Sequence, residues 1–313
     1  MTVKTRRHSL LLLGSAVLAA CSAPAIVTRN EKDPFEGGIG GTGIVGTLYG
    51  FSSLLINGLR VELEGNTTFA TPFGSTTSAG LLPGQVLTVS ADRTTQRLVA
   101  RDVAIDYALV GTLRHDHGTA SVNGVPLIDA TDALGHGAAR GRVAVSGVWT
   151  PMGVRPNRID PAPHSLDLIA GTASLDGDGG FVVGGIPIEA PDPTPTDGAY
   201  VTAFGRAHDG GFTAERLHSN RFARLGSLRQ LSVEGYLEPA PTTPGLRIAG
   251  LGHNFARDVG LSAIGARRAI YFGRYSGLFG AQSGYIVPDA YEARRDLLTP
   301  GLATNFSGAI VRL

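Results

Sequence analysis

The chain has 313 residues and a formal net charge of +1, and it contains 44 Gly, 18 Pro and a single Cys. Hydrophobic residues make up 42% and charged residues 17%, a balance that excludes both a disordered polyelectrolyte and a bundle of membrane helices. One cysteine cannot form an intrachain disulfide or a Cys-based zinc site. The length allows either several domains or one large all-β body.

The first 20 residues predict an export signal that ends in a lipid attachment site. Three basic residues stand within the first seven, and the uncharged apolar stretch at residues 9–20 is too short to span a bilayer as a helix. Residues 18–21 (LAAC) resemble the lipobox of bacterial lipoproteins. In that family cleavage falls before the cysteine, here between Ala20 and Cys21, and the cysteine thiol carries the lipid.

The resemblance to lipoproteins implies a lipid-anchored protein of the bacterial cell envelope. Two or three acyl chains hold a folded domain stably on a membrane, whereas one chain is marginal. Ser22 stands where an Asp would favour the inner membrane, so we expect the outer membrane, with the protein facing the periplasm or the surface. Residues 5–11 resemble a twin-arginine signal, which leaves the export route open. An ordinary signal peptide with an incidental cysteine is the alternative.

Cleavage would reverse the sign of the net charge. Residues 1–20 contain three basic residues and no acidic one, so the mature chain has 24 basic and 26 acidic residues, a net charge of −2. A nucleic-acid-binding protein is expected to carry a basic excess. We therefore expect no nucleic-acid partner.

Residues 21–43 predict a Pro- and Gly-rich tether. Residues 22–36 are polar, contain two prolines and show no hydrophobic period, as expected of a spacer. Residues 37–43 (GGIGGTG) formally contain the dinucleotide fingerprint G-x-G-x-x-G, but no strand precedes it and no helix pattern follows. We expect a flexible lead-in here and no cofactor.

From residue 44 onward the chain repeats itself. The phrase Val-Gly-Thr-Leu around Gly46 recurs around Gly111, in altered form around Gly171 and loosely around Gly235, at spacings of 65, 60 and 64 residues. A fixed period of this kind indicates a repeated structural unit. The predicted units are residues 44–106, 107–163, 164–224 and 228–313, and the last of these is divergent.

Each unit predicts about five short strands. Asn57-Gly58 and Asn123-Gly124, each between apolar residues, are strong signals for tight hairpin turns. Apolar and polar residues alternate in the predicted strands, which places one face inward. Five strands in about sixty residues match a small barrel of the OB-like or SH3-like kind. We predict an all-β fold of tandem five-stranded barrels with little helix, plus one short helix that starts at Pro288-Asp289 and runs through Tyr291 to Leu298, and a closing strand over 308–313.

These motifs together resemble a bacterial domain of unknown function, the one numbered five-six-six-six. The resemblance rests on the glycine-rich lead-in, the Val-Gly-Thr-Leu opening, the Asn-Gly turn and the phrases at residues 82–86 and 101–103. It is best over residues 37–106, weaker in the second and third units and poor in the fourth. It implies an envelope location and a small β-barrel-like repeat, and it brings no catalytic residues.

His115 and His117 form a weak candidate metal site. In a strand, residues two apart point to the same side, so two imidazoles could share a metal ion. The pair follows a predicted strand and precedes Gly118, where a solvated hairpin turn is the alternative.

A group of aromatic and basic residues late in the chain forms a second weak candidate. Arg267, Tyr271, Arg274 and Tyr275 could stack on and neutralise an anionic saccharide, as OB-type surfaces do. The alternative is that the rings form the hydrophobic core of the fourth unit.

The sequence favours a non-catalytic function. No G-x-S-x-G nucleophile motif occurs, and the eight His residues share no recurring phrase. We expect a structural or binding protein whose partner is another envelope protein or a polysaccharide. The alternative is a hydrolase of envelope glycans with its site between repeats, which would require carboxylates that converge in one concave pocket.

The lipid attachment site gives a direct prediction. Cys21→Ser removes the only thiol that can be lipidated, so the protein should move from the membrane fraction to the soluble fraction. Fractionation of cells followed by immunoblotting measures this. An unchanged membrane location would contradict the lipoprotein assignment.

Overall fold

The computed structural model describes most of the chain from residue 41 to residue 299. The described residues are 26–28, 41–51, 53–94, 97–116, 118–131, 133, 141–162, 165–177, 179–191, 193–222, 225, 227–239, 246–252 and 266–299. The predictions for Ala20, Cys21, His117 and the closing strand at residues 308–313 lie outside them.

Strands dominate the described residues. The first strand, β1, is Ile26–Thr28, and the first unit contains β2 Gly41–Thr47, β3 Leu54–Ile56, β4 Leu59–Thr71, β5 Gly74–Ser75, β6 Val86–Arg93 and β7 Leu98–Asp106. The second unit contains β8 Leu109–Asp116, β9 Thr119–Val122, β10 Val125–Pro126, β11 Arg142–Thr150 and β12 Gly153–Pro161.

The third unit contains β13 Asp167–Leu175, β14 Phe181–Val183, β15 Ile186–Glu189, β16 Tyr200–His208 and β17 Gly211–Ser219. The fourth contains β18 Leu228–Gly235, β19 Leu237–Pro239, β20 Leu246–Ile248, β21 Ala269–Tyr275 and β22 Phe279–Ile286. A 3₁₀ turn lies at Ser78–Gly80, and the α-helix α1 at Tyr291–Leu298 confirms the predicted helix. Within the described residues no helix has the length and apolarity needed to cross a bilayer.

The third unit is a closed five-stranded barrel. Its strands follow the order β13-β14-β15-β17-β16, and β16 pairs again with β13. The pair of β15 and β17 is parallel and the other pairs are antiparallel. Closing the ring hides the strand edges. This barrel and the strand content confirm the predicted all-β fold class.

The first two units follow the same strand order, and in each of them one isolated bridge joins the two ends of the series of paired strands. In the first unit the order is β2-β3-β4-β7-β6, with β4 and β7 parallel, and an antiparallel bridge joins Leu48 to Ile56. In the second unit a parallel bridge between Leu127 and Val154 links the third and fifth strands. The repeat in the sequence is therefore a repeat in strand order.

The fourth unit follows the same plan in its central strands. β18, β21 and β22 pair as the first, fourth and fifth strands of the other units do. Every unit also has a register shift in its fourth strand, and the shifts lie at Ser90/Ala91, Ser146/Gly147, Phe204/Gly205 and Phe272/Gly273. A β-bulge at one recurring position bends each sheet in the same way.

The units pair through their first strands. β8 pairs with β13 in antiparallel fashion, and β2 pairs with β18 in parallel. Units one and four thereby share a curled sheet of eight strands, in the order β22-β21-β18-β2-β6-β7-β4-β3. The hydrophobic core joins the two fused pairs to each other, since Leu48 and Val89 of the first unit pack in one cluster with Val110, Leu168 and Phe204 of the second and third units. The barrels are fused pairwise.

The Asn57-Gly58 turn secures the pairing of β2 with β18. Both residues have positive φ, 54° and 74°, as a tight hairpin turn requires. The Asn57 Nδ2 group donates to the Val45 carbonyl at 3.0 Å and to Ser232 Oγ, in β18, at 2.9 Å. The turn side chain therefore joins its own first strand to the first strand of the partner unit.

The other pair of units uses two versions of the same contact. Asn123 Nδ2 donates to the carbonyls of Val110 and Leu168, at 3.0 and 2.9 Å, and thus joins β8 to β13. The third unit has glycine in place of this Asn, and Trp149 Nε1 donates at 2.7 Å to the Ala170 carbonyl, the position equivalent to Val110. The carbonyl before the repeated glycine thus receives a side-chain donor in three units.

The repeated glycine makes room for this donor, which gives a stability prediction. A Cβ on Gly46 would lie 1.9 Å from Asn57 Oδ1, so Gly46→Ala should lower the free energy of unfolding by about 1–3 kcal/mol. Much of this loss should disappear in an Asn57→Gly background. Glycine at position 57 tolerates the positive φ there and has no side chain to clash with the new Cβ at position 46. Urea denaturation of the two single variants and the double variant measures the coupling.

Gly65→Ala is the matched control for Gly46→Ala. Gly65 is exposed, and a Cβ there meets nothing within 4 Å. We expect a change within about 0.5 kcal/mol. Additive effects of Gly46→Ala and Asn57→Gly would show that the two side-chain positions do not compete for space.

Candidate binding cleft

A buried carboxylate marks the junction of the first and fourth units. Glu234 precedes Gly235 on β18, at the position that Val45 occupies in the first unit. Val233, one residue earlier, is the Cα partner of Val45 in the parallel ladder. The divergent unit thus places a charge where the repeat has an apolar residue.

Two arginines neutralise Glu234. Glu234 Oε1 lies 2.8 Å from both Nε and Nη2 of Arg268 and 3.1 Å from Arg294 Nε. The three charged side chains are 0% exposed. Glu234 Oε2 accepts hydrogen bonds from the Thr47 backbone N–H at 2.8 Å and from Thr47 Oγ1 at 2.7 Å. One carboxylate therefore serves two buried cations, which leaves a net positive charge.

The electrostatics of this group favour the ionised form of Glu234. Burial alone raises the pKa of a carboxyl, but Arg268, Arg294 and the Thr47 hydrogen bonds outweigh it and lower the pKa of Glu234 to about 2. Burial, together with the charge of Glu234, raises the pKa of the Tyr49 hydroxyl, which lies 3.3 Å from Glu234 Oε1. Tyr49 therefore stays a neutral donor.

Arg294 extends the network to the second unit and to α1. Its Nη1 donates to the Pro288 carbonyl at 2.9 Å, and its Nη2 donates to Asn157 Oδ1 at 2.8 Å. Asn157 in turn donates to Thr47 Oγ1 at 3.0 Å. The Glu234 cluster, defined here as Glu234, Arg268, Arg294, Thr47, Tyr49 and Asn157, holds the first, second and fourth units and α1 at one point.

A cleft of about 1090 Å³ adjoins the Glu234 cluster. Tyr49 and Asn157 belong to both the cluster and the cleft. The cleft walls come from the first unit, the second unit and α1, and they include Pro83, Asp129, Arg155, Pro156, Arg158, Asp289, Tyr291, Glu292 and Arg295. The Glu234 cluster therefore holds two of the wall residues, Tyr49 and Asn157, in position.

Arg155 links two carboxylates of the cleft. Its Nη1 lies 2.6 Å from Asp129 Oδ2, and its Nη2 lies 3.8 Å from Asp289 Oδ2. The guanidinium lies over the Tyr236 ring, 5.9 Å from its centroid, and the Tyr236 hydroxyl donates to Asp289. Arg155 Nε is buried without a hydrogen-bond partner among the described residues. The ion pairs of Arg155 and the hydrogen bond from Tyr236 to Asp289 therefore hold the charged groups of this wall in position.

Asp129 reaches Arg155 from an uncommon backbone conformation. Its φ is +49°, in the left-handed region that Asp and Asn adopt more readily than other non-glycine residues. Its side chain is 71% exposed although it pairs with Arg155. Residues in sparsely populated backbone regions are concentrated at functional sites, which marks this carboxylate as part of the candidate site.

Aromatic rings complete one wall of the cleft. Tyr49 and Tyr291 stack with their centroids 5.5 Å apart and an interplanar angle of 24°. Tyr49 is buried whereas Tyr291 is half-buried. Part of the Tyr291 ring therefore remains accessible in the cleft, and the buried Tyr49 ring supports it from behind.

The predicted histidine site lies elsewhere. His115 is exposed near the end of β8 and pairs with Ala120 in the β8–β9 hairpin. His117 is not among the described residues. In the part of the chain that the structure describes, no three His, Cys, Asp or Glu side chains are grouped to hold a metal ion.

The four late residues do not form one surface. Tyr271 is 0% exposed and packs in the core of the fourth unit, so it cannot contact a ligand in solvent. Tyr275 is half-buried, with its ring against Phe222, whereas Arg267 and Arg274 are exposed. None of the four lines the cleft. For Tyr271 the core alternative is correct.

Sequence reasoning did not identify the residues of the cleft. The cleft joins segments from three units, and no local motif relates them. One signal was present in Val233-Glu234-Gly235, where a charge interrupts the apolar phrase of the repeat.

Replacing the carboxylate of Glu234 tests the buried cluster. Glu234→Gln leaves two buried guanidinium groups without a counter-charge, so we expect a loss of about 3–5 kcal/mol in the free energy of unfolding. Glu62→Gln is the control, because Glu62 pairs with Arg97 at 2.8 Å on the surface and should cost at most about 1 kcal/mol. Urea denaturation at pH 7 compares them.

The same pair of variants predicts a pH dependence. The pKa of Glu234 falls from 4.5 to about 2 on folding, so its stabilisation is present above about pH 4.5 and is lost as the pH falls through about 2. Glu234→Gln should flatten the stability profile over this range, whereas Glu62→Gln should follow the wild type. Parallel profiles for wild type and Glu234→Gln would contradict the assignment.

Comparison with known proteins places no outside constraint on the site. The family models, the curated proteins and the solved structures each give no match to this chain. The resemblance to the bacterial domain of unknown function therefore stays a prediction from motifs, and the role of the cleft rests on its own geometry.

Proposed function

We propose that the protein is a lipid-anchored, non-catalytic binding protein of the bacterial cell envelope and that its cleft binds a segment of polysaccharide. The observation that carries the proposal is the cleft itself, a concavity of about 1090 Å³ walled by paired charges and a tyrosine. Ligand sites are concave and hold a few fixed polar groups against apolar surface. The Leu-Ala-Ala-Cys motif that ends at Cys21 supports the proposed envelope location.

The balance of charges in the cleft suits a sugar. Among the described residues, three carboxylates and three guanidinium groups line the cleft, so neither sign of charge dominates there. A saccharide hydroxyl can donate to a carboxylate such as Asp129 and accept from a guanidinium such as Arg155, and these two groups lie 2.6 Å apart. A polyanion or a polycation would meet as much repulsion as attraction.

The apolar surfaces of the cleft suit the same ligand. Tyr291 is supported from behind by Tyr49, and Pro83 and Pro156 also line the cleft. Aromatic faces flanked by polar side chains match a sugar ring, which has apolar C–H faces and polar edges. OB-type barrels bind oligosaccharides at their sheet and loop surfaces.

A hydrolase of envelope glycans is the second candidate function. One observation favours it, since Asp129 and Asp289 line one cleft between repeats and both contact Arg155. Their side chains are 71% and 47% exposed, however, whereas a general acid is usually a carboxyl desolvated by an apolar pocket. Binding is therefore the better-supported function.

Calorimetric titration tests binding. Purified protein should bind oligosaccharide fragments of peptidoglycan or a neutral polysaccharide such as dextran in a saturable manner. Asp129→Asn should weaken the affinity at least tenfold, because the amide keeps the backbone conformation but cannot accept through two carboxylate oxygens. Asp209→Asn, the same change at the exposed β16–β17 turn, should leave the affinity unchanged.

Three outcomes separate the candidates. Equal affinities for wild type and Asp129→Asn, or no binding to either probe, would contradict saccharide binding at the cleft. New reducing ends that form with the wild type and not with Asp289→Asn would favour the hydrolase. Saturable binding without new reducing ends supports the binding protein.

A further inference from the structure

Strand β1, which begins five residues after Cys21, pairs with the last strand of the fourth unit. β1 lies within the segment predicted as a spacer, and it pairs with β22 in antiparallel fashion, with Ile26 opposite Tyr285 and Thr28 opposite Ser283. Because the strands are antiparallel, the chain that precedes Ile26 leaves β22 at its carboxyl end. That end is Ile286, and the polypeptide continues from there to α1.

The distance from this point to the lipid is short. Cys21 and Ile26 are five peptide units apart, and an extended chain covers at most about 3.6 Å per residue, so the two Cα atoms lie within about 18 Å of each other. Given the lipidation of Cys21 in the proposed function, we propose that the carboxyl end of β22 and α1 face the bilayer. The protein is then held against the membrane in one orientation, with the lipid bilayer as the partner of this face.

One exposed aromatic side chain, Phe51, lies at the same end of the molecule. Tyr49 and Leu55 pack in one buried cluster with Tyr285 and Val287, which places the loop between Tyr49 and Leu55 beside the carboxyl end of β22. Phe51, within that loop, is 47% exposed. Apolar side chains such as Phe insert into the boundary between headgroups and acyl chains when a protein lies on a membrane. Phe51 therefore fits a surface that touches lipid headgroups.

This orientation places the cleft near the membrane. The cleft is lined by Tyr49 and by the amino-terminal half of α1, both of which belong to the membrane-facing end. The opposite end of β22 carries the exposed Leu278, and seven residue steps of about 3.4 Å separate the two ends of the strand by about 24 Å. The polysaccharide that the cleft takes would be met close to the bilayer surface.

Fluorescent labels at the two ends of β22 test the orientation. The lipidated protein is labelled with a fluorophore at an engineered thiol. It is then placed in vesicles of phosphatidylethanolamine and phosphatidylglycerol whose headgroups carry a nitroxide quencher. The variants are Ala290→Cys, beside α1, and Leu278→Cys, at the far turn, both exposed. Cys21 does not react, because its sulfur carries the lipid. We expect quenching at least threefold stronger for Ala290→Cys.

A second variant tests the role of β1. Val27→Pro, added to Ala290→Cys, removes the strand pairing with β22, so quenching should fall toward the Leu278→Cys value while the protein stays in the membrane fraction. Val27→Thr keeps the strand and should keep the strong quenching.

The outcomes distinguish orientation from anchoring. Equal quenching at both labels in membrane-bound protein would overturn the orientation and leave the lipid anchor standing. Strong quenching that persists in the Val27→Pro variant would overturn the role of β1. Protein that stays soluble with Cys21 present would overturn the anchor, and the orientation with it.

Discussion

The position of Glu234 between two arginines determines how three units meet. A carboxylate buried in an apolar junction costs free energy unless it is paired and hydrogen-bonded, and Arg268, Arg294 and Thr47 supply the partners. A well-packed apolar junction could be equally stable, so an ion cluster of this kind is best explained by specificity. Its hydrogen bonds are directional and reach the second unit through Asn157. These directional contacts favour one relative placement of the units, and the walls of the cleft depend on that placement.

The cluster arises where the repeat departs from its own pattern. In three units the carbonyl before the repeated glycine accepts from a side-chain donor, which is Asn57, Asn123 or Trp149. In the fourth unit Glu234 occupies that position. Repetition explains the common barrel plan and the fusion of units through their first strands. The divergent fourth unit places the charged Glu234 in the β18 strand that pairs with β2. The Glu234 cluster therefore lies at one of the two fused pairs, that of units one and four.

Much of the fold could be predicted from the sequence because its determinants are local. Alternating strands, the turns at Asn57 and Asn123 and the helix at residues 291–298 all depend on neighbouring residues. The parallel pairing of β2 with β18 joins segments more than 180 residues apart and has no local signature. The cleft is hidden for the same reason, because Asp129 and Asp289 meet only through tertiary structure. Composition likewise could not separate the aromatic core of the fourth unit from a ligand platform.

In the proposed function, the pairing of charges within the cleft sets the strength of saccharide binding. A ligand hydroxyl that inserts at Asp129 must compete with an ion pair to Arg155 that already exists at 2.6 Å, so each contact adds only part of its intrinsic strength. A single sugar segment would then bind weakly, although the groups are preorganised. Many lipid-anchored copies on one membrane facing one long polymer would act together, because each bound copy raises the effective concentration of the next segment. Weak individual sites in the proposed orientation near the bilayer would therefore suit the proposed function, in which the protein keeps a polysaccharide close to the membrane while allowing it to exchange.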